Sequence, residues 1–142
     1  MYRRILVALE NGPADRSLLP HVAQLASLLH SELVLIHVAD GWVARHYDDL
    51  KLAESDEMQT DREYLEQQAA ALGTKGLQVT IHLALGNPPT EILKVAEREH
   101  CDLIAMATHG HRLLADLFYG STITTVRHKS QIPLLLVRAD AV

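Results

Sequence analysis

Leu103-Ile-Ala-Met-Ala107 is a run of five residues without a polar side chain, followed at once by Thr108-His109-Gly110. A strand with one face in water alternates apolar with polar residues, so a run that is apolar throughout needs cover on both faces. Three further runs have this character: Ile5–Leu9 (ILVAL), Leu33–Val38 (LVLIHV) and Pro133–Val137 (PLLLV). A fifth, Leu77–Leu85 (LQVTIHLAL), sets Val79, Ile81 and Leu83 against Thr80 and His82. That alternation is the pattern of an edge strand.

Working outward, helix-sized segments separate the runs. Ala14–His30 spaces Leu18, Leu19, Val22, Leu25, Ala26 and Leu29 three and four apart, which makes an apolar stripe. Ser55–Leu72 is rich in Glu, Gln and Ala, with Met58, Tyr64, Leu65 and Ala69 on its apolar side and Gly73 as its stop. Thr90–His100 follows a proline pair and carries Ile92, Leu93, Val95 and Ala96. Ser121–Lys129 is a short fourth helix with Ile123 and Val126 inward. The order β-α-β-α-β-α-β-loop-α-β gives an α/β fold with a mostly parallel sheet and right-handed crossovers.

Composition bounds the function. The chain has 142 residues, a formal net charge of −5 and one cysteine, Cys101. That length is one domain, 1–142, and a single cysteine excludes a disulfide framework or a cysteine-based zinc cluster. The acidic balance argues against holding nucleic acid on a broad basic face. No apolar run approaches the ~18–20 residues of a membrane span, and the run after Arg3-Arg4 is too short for a secretory signal. A cytoplasmic protein without membrane partners is the expectation.

Two long connections follow the ends of strands, where open α/β sheets place their ligand crevices. Ala39–Glu54 holds Trp42, Tyr47, Asp48 and Asp49; Thr108–Tyr119 holds His109, Gly110, His111 and Arg112. The sharpest pattern is Ala107-Thr-His-Gly110, nine residues, then Gly120-Ser121-Thr122. Gly110 and Gly120 let a backbone approach a bulky anion, and a helix opening at Ser121-Thr122 would offer free N–H groups to phosphate. An ordinary N-cap after a glycine-containing loop accounts for the same spacing. Neither a Walker A loop nor a GxGxxG fingerprint is present.

With these residues the chain resembles the universal stress protein family, from Arg4 to Arg138. The resemblance is carried by ILVALE, LVLIHV, GNPPTEIL, CDLIAMATHG and YGSTITTVRHKSQIPLLLVR. It implies a Rossmann-like domain, a three-layer α/β/α sandwich on a five-stranded parallel sheet, and a homodimer formed through the last strand, Pro133–Val137. The family's ATP-binding branch carries G-x2-G-x9-G-S/T; Gly110, Gly120 and Ser121 match, and Ala107 replaces the first glycine. The resemblance implies ATP, with Mg2+ as a candidate companion, at the carboxyl edge of the sheet in a stress-response switch. Its residues would be Ala8, Leu9 and Glu10 ending the first strand, Val38 ending the second, and Ala107, His109, Gly110, Arg112, Gly120, Ser121 and Thr122 around the phosphates. Glu10 stands where the family has Asp, and Asn11-Gly12 where it has Gly-Ser. The alternative is a dimeric scaffold of the same family that holds no nucleotide, for which Ala107 and Glu10 speak.

The nine histidines are scattered along the chain, and only His109 and His111 lie close together. They carry no metal-ligand spacing. His37 belongs to a buried strand, and His21, His30 and His100 to helix surfaces or ends. From His109 to Lys129 the sole acidic residue is Asp116, so His109, His111, Arg112, Arg127 and His128 form a locally cationic stretch suited to polyphosphate. Trp42 and Tyr47 offer cover for an adenine ring or a partner surface, and Asp48 and Asp49 offer oxygen ligands for Mg2+. No nucleophile elbow, triad or paired-carboxylate constellation is present, and Cys101 reads as a small apolar residue. Binding with at most slow ATP hydrolysis is expected, not metabolic turnover.

Overall fold

The computed structural model describes residues 1–39, 51–109 and 116–139, with side chains described there except at 51–55 and 116–119. Five strands alternate with four helices among these residues: β1 (Arg4–Ala8), α1 (Asp15–Leu29), β2 (Glu32–Ala39), α2 (Lys51–Gly73), β3 (Val79–Leu85), α3 (Pro88–Arg98), β4 (Leu103–Thr108), α4 (Asp116–Lys129) and β5 (Leu134–Arg138). All pairings are parallel, in the order β3-β2-β1-β4-β5. The α/β expectation holds, and the alternating run is an edge, paired with β2 alone among the described residues. The expectation that Pro133–Val137 is covered on both faces is corrected: β5 is the opposite edge, paired with β4 and without a fully buried side chain, because no strand lies beyond it in the sheet.

β1 is the centre. Ile5 sits in register with Leu33 on one side and Leu103 on the other. Strand alternation sends Ile5, Val7, Leu33, Leu35, Leu103 and Ala105 to one face, where Leu18, Val22 and Ala26 of α1 and Leu65 and Leu72 of α2 bury them. Leu6, Ala8, Val34, Ile36, Ile104 and Met106 go to the other, under Ile92, Val95 and Ala96 of α3 and Val126 of α4. This is the three-layer sandwich.

The helix ends differ from expectation in three places, each for a local reason. α3 starts at Pro88, not Thr90, because proline is well placed in a first turn; the Asn87 side chain accepts the Thr90 N–H at 3.3 Å. α2 starts at Lys51, so the sequence Ala39–Glu54 is not one loop: Ala39 closes β2 and 51–54 are helical, while Trp42, Tyr47, Asp48 and Asp49 lie outside the described residues. α4 starts at Asp116, not Ser121. Glycine inside a helix costs about 1 kcal/mol relative to alanine but does not end it, and Gly120 is carried through as the fifth residue. At the other ends, α1 closes on His30 in the left-handed region (φ 57°), whose N–H reaches the Ala26 carbonyl.

Leu65 is fully buried between α2 and the sheet. Leu65→Ala is expected to lower unfolding free energy by about 2–5 kcal/mol in urea titrations, whereas Gln67→Ala, on the exposed side, stays within about 0.5 kcal/mol.

Candidate functional site

The chain leaves β1 under tight control. The Leu9 N–H still bonds to the Ile36 carbonyl (2.8 Å), while the next two amides turn to a side chain. Asp15, 2% exposed, accepts from the Glu10 N–H at 3.0 Å and the Asn11 N–H at 2.9 Å. One carboxylate therefore holds the β1–α1 turn closed from the first turn of the helix it precedes. The Tyr64 hydroxyl of α2 donates to the same carboxylate at 2.5 Å. Burial, then the hydrogen bond to Asp15, raises the Tyr64 phenol well above the usual tyrosine range.

A second branch ties β2 to this turn. His37 is buried, as its strand predicts, and its Nδ1 lies 2.9 Å from the Leu9 carbonyl. A carbonyl only accepts, so Nδ1 carries the proton. Its Nε2 faces Asp61 of α2 at 3.5 Å, and Asp61 in turn accepts from the Asn11 side-chain amide at 2.7 Å. Leu9, Asn11, Asp15, His37, Asp61 and Tyr64 thus join β1, β2, α1 and α2 at one end of the sheet. Sequence reading missed this set: it places Tyr64 on the apolar side of its helix and does not single out Asp61. Their common signal is a polar residue on an inward helical position.

Between β1 and β4 the strand order reverses, and there Glu10 meets His109. His109 Nε2 lies 2.8 and 3.1 Å from the two Glu10 carboxylate oxygens. Both side chains are partly buried, and the pair spans the crevice at the topological switch point where open α/β sheets take ligands. His109, expected to add positive potential for phosphate, here gives its Nε2 proton to a carboxylate.

The remaining expected residues fall as follows. Ala8, Leu9, Glu10, Val38, Ala107 and His109 all gather at the carboxyl ends of β1, β2 and β4. Ala107, paired with Val137, is 3% exposed and belongs to the core beneath α1 and α2. Its methyl therefore packs into the sheet's covered face, which is why alanine is accommodated where the motif has glycine. Gly110 and Arg112 lie outside the described residues, as does His111. Gly120, Ser121 and Thr122 sit in the second turn of α4, so the expected helix opening at Ser121-Thr122 is corrected: in that position backbone N–H groups bond four residues back. Thr122 is buried, and a Cβ at Gly120 would meet nothing within 4 Å among the described residues.

Elsewhere, His30 and His100 hold left-handed positions beside helix ends, His21 is exposed, and His82 pairs with Glu99 at 2.9 Å. Among the described residues no group of three His, Cys, Asp or Glu side chains is placed to hold a metal ion. The Cys101 thiol is buried and pushed up to about 11 by that burial, the protonated, unreactive form at neutral pH. No described helix is long and apolar enough to cross a membrane.

A parallel sheet covered by helices on both faces places the molecule among the doubly wound α/β proteins. More narrowly, the chain belongs to the universal stress protein family, whose model matches residues 1–138. It is 27% identical to the universal stress protein MJ0577 of Methanocaldococcus jannaschii, over 97% of this chain and 96% of that one. The solved structure of MJ0577 superposes with a TM-score of 0.87, covering 100% of this chain and 99% of the other. Two solved complexes share the fold at lower identity. One is a universal stress protein from Archaeoglobus fulgidus with dAMP (20% identical, TM-score 0.68, covering 96% of this chain and 98% of that one). The other is a universal stress protein with cAMP (16%, 0.69, 98% of each chain).

Tyr64→Phe is expected to cost about 1–2 kcal/mol of stability, because Asp15 loses a buried donor. The phenol's raised pKa stabilises the fold below the ordinary tyrosine range, and that contribution disappears as pH climbs through the folded value. Alkaline titration at 295 nm should show a late-titrating tyrosine in the parent and not in the variant.

Proposed function

We propose that the protein binds an adenine nucleotide, ATP in the cell, across the β1/β4 switch point and serves as a stress-response switch. The observation that carries this reading is the meeting of Glu10 and His109 over the crevice between β1 and β4. Family membership and the dAMP and cAMP complexes of proteins with this fold support it. The residues present fit such a group. Ala107 keeps its methyl in the core, and Gly120 opens onto space.

In the proposed complex Glu10 contacts the ribose or adenine, and the backbone at Ala8, Leu9 and Val38 flanks the base. His109, Gly110, Arg112, Gly120 and the Ser121 hydroxyl surround the phosphates, over the buried Ala107 and Thr122. Arg112 supplies a charge that does not depend on pH, and Asp48 and Asp49 are the candidates to hold Mg2+ against the phosphates. The fixed β1–α1 turn means that binding does not have to order this wall of the crevice first. Nucleotide occupancy would be reported to partners through the segments after β2 and β4. Binding, not turnover, is the activity proposed, in a cytoplasmic homodimer formed along the unpaired edge of β5, where Leu136 is 44% exposed. An apolar edge strand is the kind of surface a second chain covers.

Calorimetry with Mg-ATP should give saturable heat in the parent. Gly120→Val should abolish it, since the added side chain enters the phosphate path; a Cβ there meets no described neighbour within 4 Å, and a thermal melt shows whether the variant is folded. Heat absent from the parent at millimolar ATP overturns the proposal in favour of the nucleotide-free scaffold; affinity unchanged in Gly120→Val misplaces the phosphates. Leu136→Lys should turn a dimer into a monomer in light scattering at micromolar concentration, and a parent that is already monomeric contradicts the assembly.

A further inference from the structure

The two helices on the first face of the sheet cover different strands. α1 packs mainly on β4 and β5, and α2 on β2 and β3. Between them lies a groove of about 610 Å³, lined from both helices and from the turn after β1. That volume is in the range of small-molecule sites, roughly 300–1,000 Å³.

The lining has a definite chemistry. Leu19 and Leu72 are buried apolar residues at its base, and Tyr64 and Gln68 of α2 are half-buried along it. Arg16 of α1 and Lys75, just beyond α2, are exposed on its border, and neither makes an ion pair among the described residues. Asp15 also lines the groove, but its oxygens already accept from two backbone amides and the Tyr64 hydroxyl. On a chain of net charge −5, two uncommitted cations beside an apolar base set the sign of the ligand.

We propose that this groove is a second binding site, for a metabolite-sized anionic amphiphile. The apolar or aromatic body would cover Leu19 and Leu72, and one acidic head would engage Arg16 and Lys75. The site is separate from the switch point and stands whether or not a nucleotide binds there. It meets the carboxyl edge at the Asn11-Gly12-Pro13 turn and at Asp15 and Tyr64, while neither Glu10 nor His109 lines it.

The probe is 8-anilinonaphthalene-1-sulfonate, an aromatic body with one acidic head, with N-phenyl-1-naphthylamine as its uncharged counterpart. Fluorescence titration of the full chain should show one saturable sulfonate site. Arg16→Glu with Lys75→Glu, both at exposed positions, should weaken the sulfonate about tenfold or more and leave the uncharged probe unchanged. Ala71→Trp, at an exposed position lining the groove, should weaken both probes. Thermal melts of each variant show that it is folded. The proposal is overturned if the sulfonate does not bind, if its affinity is the same in all three proteins, or if saturating AMP displaces it, which would put the probe at the switch point.

Discussion

β1 bonds in parallel to a strand on each side, with Ile5 facing both Leu33 and Leu103, and the rest of the molecule follows from that arrangement. A central strand covered on both faces has no place for polar side chains, so Ile5–Leu9 contains none. Parallel neighbours require crossovers, and the crossovers supply the helical layers. Because the chain builds outward from β1 first toward β3 and then toward β5, the connections after β1 and β4 leave in different directions. A crevice between them is the geometric consequence. Its two lips carry Glu10 and His109.

The polar cluster beside that crevice explains how the edge is held still. Asp15 is almost fully buried, and an isolated buried carboxylate would be costly; two backbone amides and a phenol offset its desolvation. His37 and Asp61 extend the same logic to β2 and α2. Removing one partner of such a set leaves another buried group unpaired, so these residues are bound to each other's presence more than their surface-like identities suggest. The same tether holds α2 against α1 and β2 at this end, where the groove between the two helices begins.

The sheet was legible in the sequence because β1, β2 and β4 are apolar over short runs, a pattern that burial on both faces dictates, whereas the equally apolar β5 proved to be a half-exposed edge. The edge position of β3 was legible for the same reason, through Thr80 and His82. What the sequence misrepresented was local and polar. Gly120 looks like a boundary, yet helix hydrogen bonds on both sides carry it through. Ala107 looks like a defect in a glycine motif, yet strand alternation turns its methyl into the core. His109 reads as a cation for phosphate, but its partner Glu10 is remote in sequence, and no local pattern announces contact between residues so far apart. Asp61 and Tyr64 were hidden similarly, on a helix whose face toward the sheet is set by tertiary packing.

The central claim is that nucleotide occupies the switch point between β1 and β4. Backbone amide shifts recorded by heteronuclear NMR during titration with Mg-ATP test it most directly. The largest changes should fall on Glu10, Asn11, Val38, His109 and Ser121, with Leu19 and Lys75 unaffected. Changes centred on Leu19 and Lys75, or none at saturating nucleotide, would contradict it.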